Sequence, residues 1–192
     1  MGSVMPAWWI GSRFEQLRAL PLSERRVAGR QFAVGWLAAR GFNVTRCGDS
    51  DADRIVEGKR VVVRFSALSE RGGYRFRPFT DQNYELAVLC GVSPCDAHCW
   101  VIPKADVLRL WKVDHEISSQ HGGAKGSDTA WIDVPLRNPP VWLNAYGGTL
   151  SDGILVLSKL TGFKVKKVRE ELAEYDVAEG GESSSAPSES SC

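Results

Sequence analysis

Long apolar runs are missing from this sequence of 192 residues. No stretch approaches the ~20 apolar residues that a helix needs to cross a bilayer. Residues 1–14 also lack the order of a basic segment followed by an apolar one that marks a secretory signal. We therefore expect a cytoplasmic protein with no membrane segment.

The sequence also lacks net charge, because 24 Lys and Arg residues stand against 23 Asp and Glu residues. Attraction to nucleic acid must therefore come from local clusters rather than from a protein that is basic as a whole. Each basic residue taken alone fits a solvated sheet edge with a charged loop. At residues 59–77, however, only Glu70 opposes six of them, and together they predict a DNA-binding surface. They are Lys59, Arg60, Arg64, Arg71, Arg75 and Arg77.

Cysteines are few and odd in number, with five residues at positions 47, 90, 95, 99 and 192. A chain of this size needs no disulfides to hold its core, so we expect reduced thiols. Cys90, Cys95, His98 and Cys99 lie within ten residues and suggest a zinc site. Structural zinc sites, however, pair their ligands at two separated knuckles, and no second knuckle follows here. We expect instead that Cys90 and Cys99 are buried strand residues and that His98 is a strand or core histidine.

The sequence does contain alternating helix and strand patterns. Residues 23–40 have a helical pattern, with Ser23 as the capping residue and Gly41 as the stop. Glu57 and Gly58 indicate a tight hairpin turn between two strands. The predicted strands are residues 42–45, 52–56, 60–66, 86–90, 99–102 and 131–134. The other predicted helices are residues 104–111, 151–160 and 165–175, and residues 118–128 are expected to form a loop.

The composition predicts one globular domain, because 43% of the residues are hydrophobic and the chain is long enough for a real core. We divide it into an N-terminal segment at residues 1–22 and a core at residues 23–111. Residues 112–177 then supply a loop, a short strand and C-terminal helices that pack on the core. Residues 178–192 are rich in Gly, Glu and Ser and have no aromatic residue, so we predict a disordered tail.

The order of elements over residues 23–111 resembles the core of the PD-(D/E)XK nuclease superfamily. The resemblance centres on the run DRIVEGKRVVVRFS from Asp53 to Ser66, and the later run GVSPCDAHCWVIP, residues 91–103, is similar to small restriction-endonuclease-like proteins of bacteria and phages. It implies an α/β fold of the restriction-endonuclease-like type. In this fold a mixed central sheet is flanked by helices, and we expect a helical C-terminal region after it.

In that superfamily two carboxylates on adjacent strands hold Mg²⁺, and a lysine orients or deprotonates the water that attacks phosphorus. The resemblance assigns the first acid to Asp53, the second acid position to Val62 and the lysine position to Arg64. Valine cannot bind a metal. Arginine keeps its proton, so Arg64 could stabilise a developing charge but could not act as a base. The implied catalytic site is therefore altered at two of its three positions.

A replacement acid would have to reach the site from elsewhere in the chain. Asp81 and Glu85 precede a central strand and are the better-placed candidates, while Glu24 would come from the first helix. Glu57 and Lys59 spell Glu-x-Lys, but they lie in the hairpin turn, where their side chains should point to solvent.

Three functions from different classes follow. The first is a divergent Mg²⁺-dependent DNA endonuclease that uses Asp53, a relocated acid and Arg64. The second is a catalytically degenerate nuclease fold that binds DNA or a protein through its arginines, with Lys125 in a Gly-rich loop as a further DNA contact. The third is a zinc-stabilised interaction module. For a nuclease the resemblance also allows a homodimer, because cutting both strands takes two sites. Both nuclease hypotheses predict that Asp53 and Arg64 lie side by side on adjacent strands, facing one cleft.

Overall fold

A computed structural model describes residues 5–48, 52–121 and 128–164 of the chain. Lys125, the predicted helix at residues 165–175 and the predicted tail at residues 178–192 lie outside the described residues. The helices are α1 (Glu15–Ala19), α2 (Leu22–Ala39), α3 (Lys104–Lys112) and α4 (Leu150–Thr161), with short 3-10 helices at Ala7–Trp9 and Val141–Tyr146. The strands are β1 (Val44–Arg46), β2 (Arg54–Val56), β3 (Lys59–Ala67), β4 (Gly73–Phe79), β5 (Leu86–Val92), β6 (Ala97–Pro103), β7 (Ser118–Gln120), β8 (Thr129–Pro135) and β9 (Gly147–Thr149).

Six strands form the main sheet, in the order β1-β2-β3-β5-β6-β9. β3 and β5 run parallel, and every other neighbouring pair in this sheet is antiparallel. All seven residues of β5 are buried, as expected of a strand that is covered on both faces. The predicted α/β class, with a mixed central sheet flanked by helices, is therefore confirmed.

Different partners cover the two faces of this sheet. Helices α2 and α4 pack on one face, where Val61 and Val63 of β3 meet Leu37 of α2 and Leu157 of α4. A second sheet, β4-β8-β7, and helix α3 cover the other face. Val62 lies in that second core because successive strand residues point to opposite faces.

A two-residue turn joins β2 to β3 and fixes their register. Glu57 and Gly58 have φ values of 48° and 78°, and hairpins whose turn residues both have positive φ match the twist of the strands that they connect. The turn pairs Val56 with Lys59 and Arg54 with Val61. The predicted hairpin is therefore confirmed, and it places Asp53 directly before β2.

Helix α2 approaches the sheet closely at Gly29. A Cβ atom at this position would lie 2.1 Å from the Cγ atom of Phe65 in β3, so only glycine permits the contact.

The ends of α2 were predicted in part. The helix begins at Leu22 after Pro21, without a side-chain cap, so the prediction that Ser23 caps it is wrong. Its predicted stop is confirmed, because Gly41 follows with a φ of 88°.

The second sheet contains strands that the sequence patterns did not predict. β7 occupies the start of the segment 118–128, which we expected to be a loop, and its three exposed polar residues are held by pairing with β8. β4 pairs with β8, and its register shifts between Phe76 and Phe79.

None of the helices in the described part of the chain has the length and apolar character that spanning a bilayer demands.

A candidate nucleic-acid interface

Asp53 and Arg64 form an ion pair at the start of the β2–β3 hairpin. The Oδ2 atom of Asp53 accepts hydrogen bonds from Nη1 of Arg64 at 2.9 Å and from the backbone N–H of Val63 at 2.8 Å. The backbone N–H of Asp53 itself donates to the carbonyl of Val61 at 2.9 Å. The prediction that the two side chains lie side by side is confirmed, although Asp53 stands one residue before β2 rather than within a strand.

Arg64 is held by the protein on several sides. Its Nε donates to the carbonyl of Pro78 at 2.8 Å, and its guanidinium lies 5.7 Å from the ring centroid of Phe79. Burial lowers the pKa of Arg64 and the nearby Arg30 lowers it further, while Asp53 opposes both effects. Because a guanidinium in a protein keeps its proton, Arg64 remains a fixed cation beside Asp53.

The residues around Asp53 do not fit a Mg²⁺ ion. Such an ion takes about six oxygen ligands in octahedral geometry, whereas Asp53 is paired with a cation and Val62 is buried in the apolar core. Within residues 5–48, 52–121 and 128–164, no three His, Cys, Asp or Glu side chains form a group that could hold a metal ion. The donor set present here therefore argues against metal-assisted hydrolysis at this position.

The candidate replacement acids are bound elsewhere. Asp81 pairs with Lys104 at 2.9 Å and with Lys112 at 3.2 Å, and these hydrogen bonds lower its pKa. Glu85 accepts hydrogen bonds from Lys59 at 2.8 Å and from the backbone of Arg60, and its pKa is lowered for the same reason.

Glu57 was expected to point to solvent; its side chain lies at the surface, but it also has a partner in the protein. Its carboxylate accepts a hydrogen bond from the backbone N–H of Asn43 at 2.6 Å. The contact ties the β2–β3 turn to the segment before β1, so Glu57 serves the fold at this point of the chain.

Arginines from α2 and β4 line a groove that crosses the end of β3. Two cavities, of about 160 and about 30 Å³, share Arg26, Phe65, Arg75 and Arg77 in their walls. Arg64 lines the smaller cavity with a side chain that is only 13% exposed, so its ion pair with Asp53 lies at the more buried end of this feature, its deep end. We call this feature the arginine groove. Its arginines are Arg25, Arg26 and Arg30 of α2, Arg64 of β3, and Arg75 and Arg77 of β4.

Two local features bring the walls of the groove together. Gly29 lets α2 lie directly on Phe65, which carries Arg26 and Arg30 to the edge of the sheet. On the other side, Ser66 Oγ accepts a hydrogen bond from the backbone N–H of Arg75 at 3.0 Å and holds β4 against β3. Arg77 lies where the register of β4 shifts, and such irregularities redirect side chains.

Most of the wall cations form no ion pair with an acid in the described part of the chain. Arg75 forms a two-bond pair with Asp133, at 2.6 and 3.0 Å, on the outside of the second sheet. Arg25 donates to the carbonyl of Leu20, and burial together with the nearby Arg18 lowers its pKa. No carboxylate in the described part of the chain forms an ion pair with the remaining wall arginines, which are Arg26, Arg30 and Arg77.

The structure brings together only part of the predicted DNA-binding set. Arg64, Arg75 and Arg77 meet in the groove. Arg60 instead donates to the carbonyl of Asn83, and Arg71 lines a larger cavity of about 600 Å³ near the start of β4, which Arg75 also lines. The α2 arginines were missed, although Arg26 and Arg30 are spaced to lie on one face of a helix.

The strand β6 separates the residues that suggested zinc. Cys90 and Cys99 are cross-strand neighbours in the core beneath α2 and α4. His98 points to the other face, where Nδ1 lies 3.0 Å from the hydroxyl of Tyr74 and the ring stacks on Trp100. Burial raises the pKa of the Cys90 thiol to about 12 and also raises that of Cys99. Protonated thiols on the opposite face from the imidazole do not form a zinc site with it.

No family model and no curated protein matches the chain. Among solved structures, the chain is similar to the bacterial homing endonuclease I-Ssp6803I, with a TM-score of 0.45 and 18% identity. The match covers 74% of this chain and 96% of the endonuclease chain. This similarity concerns the arrangement of helices and strands.

Proposed function

We propose that this protein binds DNA through the arginine groove and that it does not cut the DNA that it binds. The observation that carries the proposal is the set of wall arginines, of which Arg26, Arg30 and Arg77 form no ion pair with a described carboxylate. Guanidinium groups match the geometry of phosphate oxygens, and phosphate neutralisation dominates DNA affinity. The sequence resemblance of residues 23–111 to nucleases favours DNA over other polyanions.

The ion pair at the deep end of the groove supports binding without cleavage. The resemblance to the PD-(D/E)XK superfamily assigns catalytic roles to Asp53 and to position 64. In this protein, however, Arg64 already neutralises the carboxylate of Asp53. A cation beside Asp53 repels a second cation, and the neighbouring Val62 offers no oxygen. The Mg²⁺-dependent endonuclease is therefore the second candidate, and a cleavage assay decides between the two.

The binding half of the proposal is tested with a labelled DNA fragment and fluorescence anisotropy. We expect affinity to fall steeply with added salt, because each neutralised phosphate releases counterions. Replacing Arg26, Arg30 and Arg77 together by alanine should weaken binding by at least about tenfold. Arg40→Ala is the matched control, since Arg40 follows the last residue of α2, is exposed and lies outside the groove. Equal losses in the triple variant and in the control would remove the groove from the proposal.

The cleavage half is tested with supercoiled plasmid in Mg²⁺ or Mn²⁺. We expect no nicking above that of a buffer control. Nicking by the unaltered protein that is abolished by Asp53→Ala would instead establish the endonuclease and show that another group supplies the missing acid.

A further inference from the structure

We infer that the arginine groove takes a single strand of DNA rather than a duplex. This inference rests on the proposed DNA-binding function and specifies its substrate. It follows from the shape of the groove, from the placement of the cations on opposing walls and from the lack of Asp and Glu among the described residues that line it.

The cations face each other across a narrow space. Arg26 and Arg30 line it from α2 on one side, and Arg77 lines it from β4 on the other, next to Arg75, whose guanidinium is bound to Asp133. The floor between them consists of β3 residues Phe65, Ser66 and Ala67. A chain of phosphates laid along this floor would meet guanidinium groups from both sides.

The groove is too small to enclose a duplex. Its cavities measure about 160 and about 30 Å³, so they can take backbone phosphate groups rather than a whole segment of nucleic acid. A duplex is a rigid rod whose major groove alone is about 12 Å wide. It would rest on the rim, beside the exposed Arg26 and Arg77, and leave the less exposed Arg30 without a phosphate. A single strand bends at each nucleotide and can lower its backbone between the walls.

The unliganded groove concentrates like charge. Arg26 and Arg30 are one helical turn apart, a spacing at which like charges repel each other. Arg30 also repels Arg64, whose pKa it lowers. Among the described residues that line the two cavities there is no Asp or Glu. A polyanion that lies between the walls reduces the repulsion among all of these arginines. A polyanion that rests on the rim reduces it only for the arginines nearest the solvent.

The floor predicts little preference for base sequence. The ring of Phe65 packs beneath Gly29 of α2, so it is not presented as a platform on which bases stack. Binding therefore depends on the backbone phosphates, and we expect strong salt dependence together with similar affinity for different sequences.

The inference is tested by comparing a labelled single strand of about 12 nucleotides, within the ~4–16 nucleotide range of single-strand sites, with a duplex of the same sequence. We expect the single strand to bind at least about tenfold tighter than the duplex. The Arg26→Gln, Arg30→Gln, Arg77→Gln triple variant, which keeps long polar side chains, should lose this preference. Arg40→Gln should keep it, and thermal melting of each variant checks that the fold is intact.

The outcomes separate the two proposals. A duplex that binds as tightly as the single strand, or more tightly, with the same dependence on the three arginines, overturns the single-strand inference and leaves DNA binding in place. Binding of neither DNA by the folded protein overturns the proposed function itself. A single-strand preference that survives in the folded triple variant shows that the strand lies outside the groove, and it also overturns the inference.

Discussion

The deep end and the walls of the arginine groove differ in how their charges are satisfied. At the deep end, Asp53 and Arg64 bind each other, the backbone of the hairpin and the carbonyl of Pro78, and their side chains are 27% and 13% exposed. On the walls, Arg26 and Arg77 are exposed and form no ion pair with a described acid. Charges that serve the fold have protein partners, while charges held without partners are available to a ligand. The deep end should therefore govern stability and the walls should govern affinity.

The largest expected effect comes from forcing the α2 wall away from the sheet. Gly29→Ala places a methyl group 2.1 Å from the ring of Phe65, and because this contact is far closer than Cβ atoms tolerate, we expect a loss of at least about 3 kcal/mol, at the upper end of overpacking costs. Gly35→Ala, in the same helix, meets nothing within 4 Å and should instead stabilise the protein by up to about 1 kcal/mol, since alanine is the better helix former. Chemical denaturation measures both values. Similar results for the two variants would show that the close approach of α2 is not needed.

The next effect separates the deep end from an exposed pair of the same chemistry. Asp53→Ala leaves Arg64 and the N–H of Val63 without their acceptor, and we expect a loss of about 2–3 kcal/mol in unfolding free energy. Asp133→Ala breaks the pair with Arg75, whose side chains are 37% and 52% exposed, and should cost less than about 1 kcal/mol. If denaturation shows the reverse order, the deep end is not structural.

The smallest effect is on the stability of the wall variant. Replacing Arg26, Arg30 and Arg77 by alanine removes like-charge repulsion and no described ion pair, so the free energy of unfolding should stay within about 0.5 kcal/mol of the original value. The measurement is best made at low salt, where the repulsion is least screened. A loss of several kcal/mol would mean that these arginines support the fold and are not reserved for a ligand.

The sequence predicted the parts of the site that depend on local geometry. The turn at Glu57 and Gly58 sets the register of two adjacent strands, and this register brings Asp53 to Arg64. The pairing could therefore be predicted without knowledge of the rest of the fold.

The parts that depend on tertiary packing were missed. β4 shows alternation, with Tyr74 and Phe76 buried and Arg75 and Arg77 exposed, but its arginines drew attention to charge rather than to strand period. Its pairing partner β8 lies far along the chain, so no local signal reveals the second sheet.

The contribution of the α2 arginines to the groove was missed for a related reason. Only the contact of Gly29 with Phe65 shows which face of the helix lies over β3.

The distance along the chain between interacting residues also bears on how the groove assembles. Asp53 and Arg64 are separated by 11 residues, whereas Arg75 and Asp133, which join β4 to β8, are separated by 58. Because short loops close at lower entropic cost than long ones, the hairpin can form before the second sheet exists. A partly folded chain would then hold the ion pair but lack the β4 wall. A ligand seated between both walls recognises only the completed fold, so its binding should slow the unfolding of the native protein.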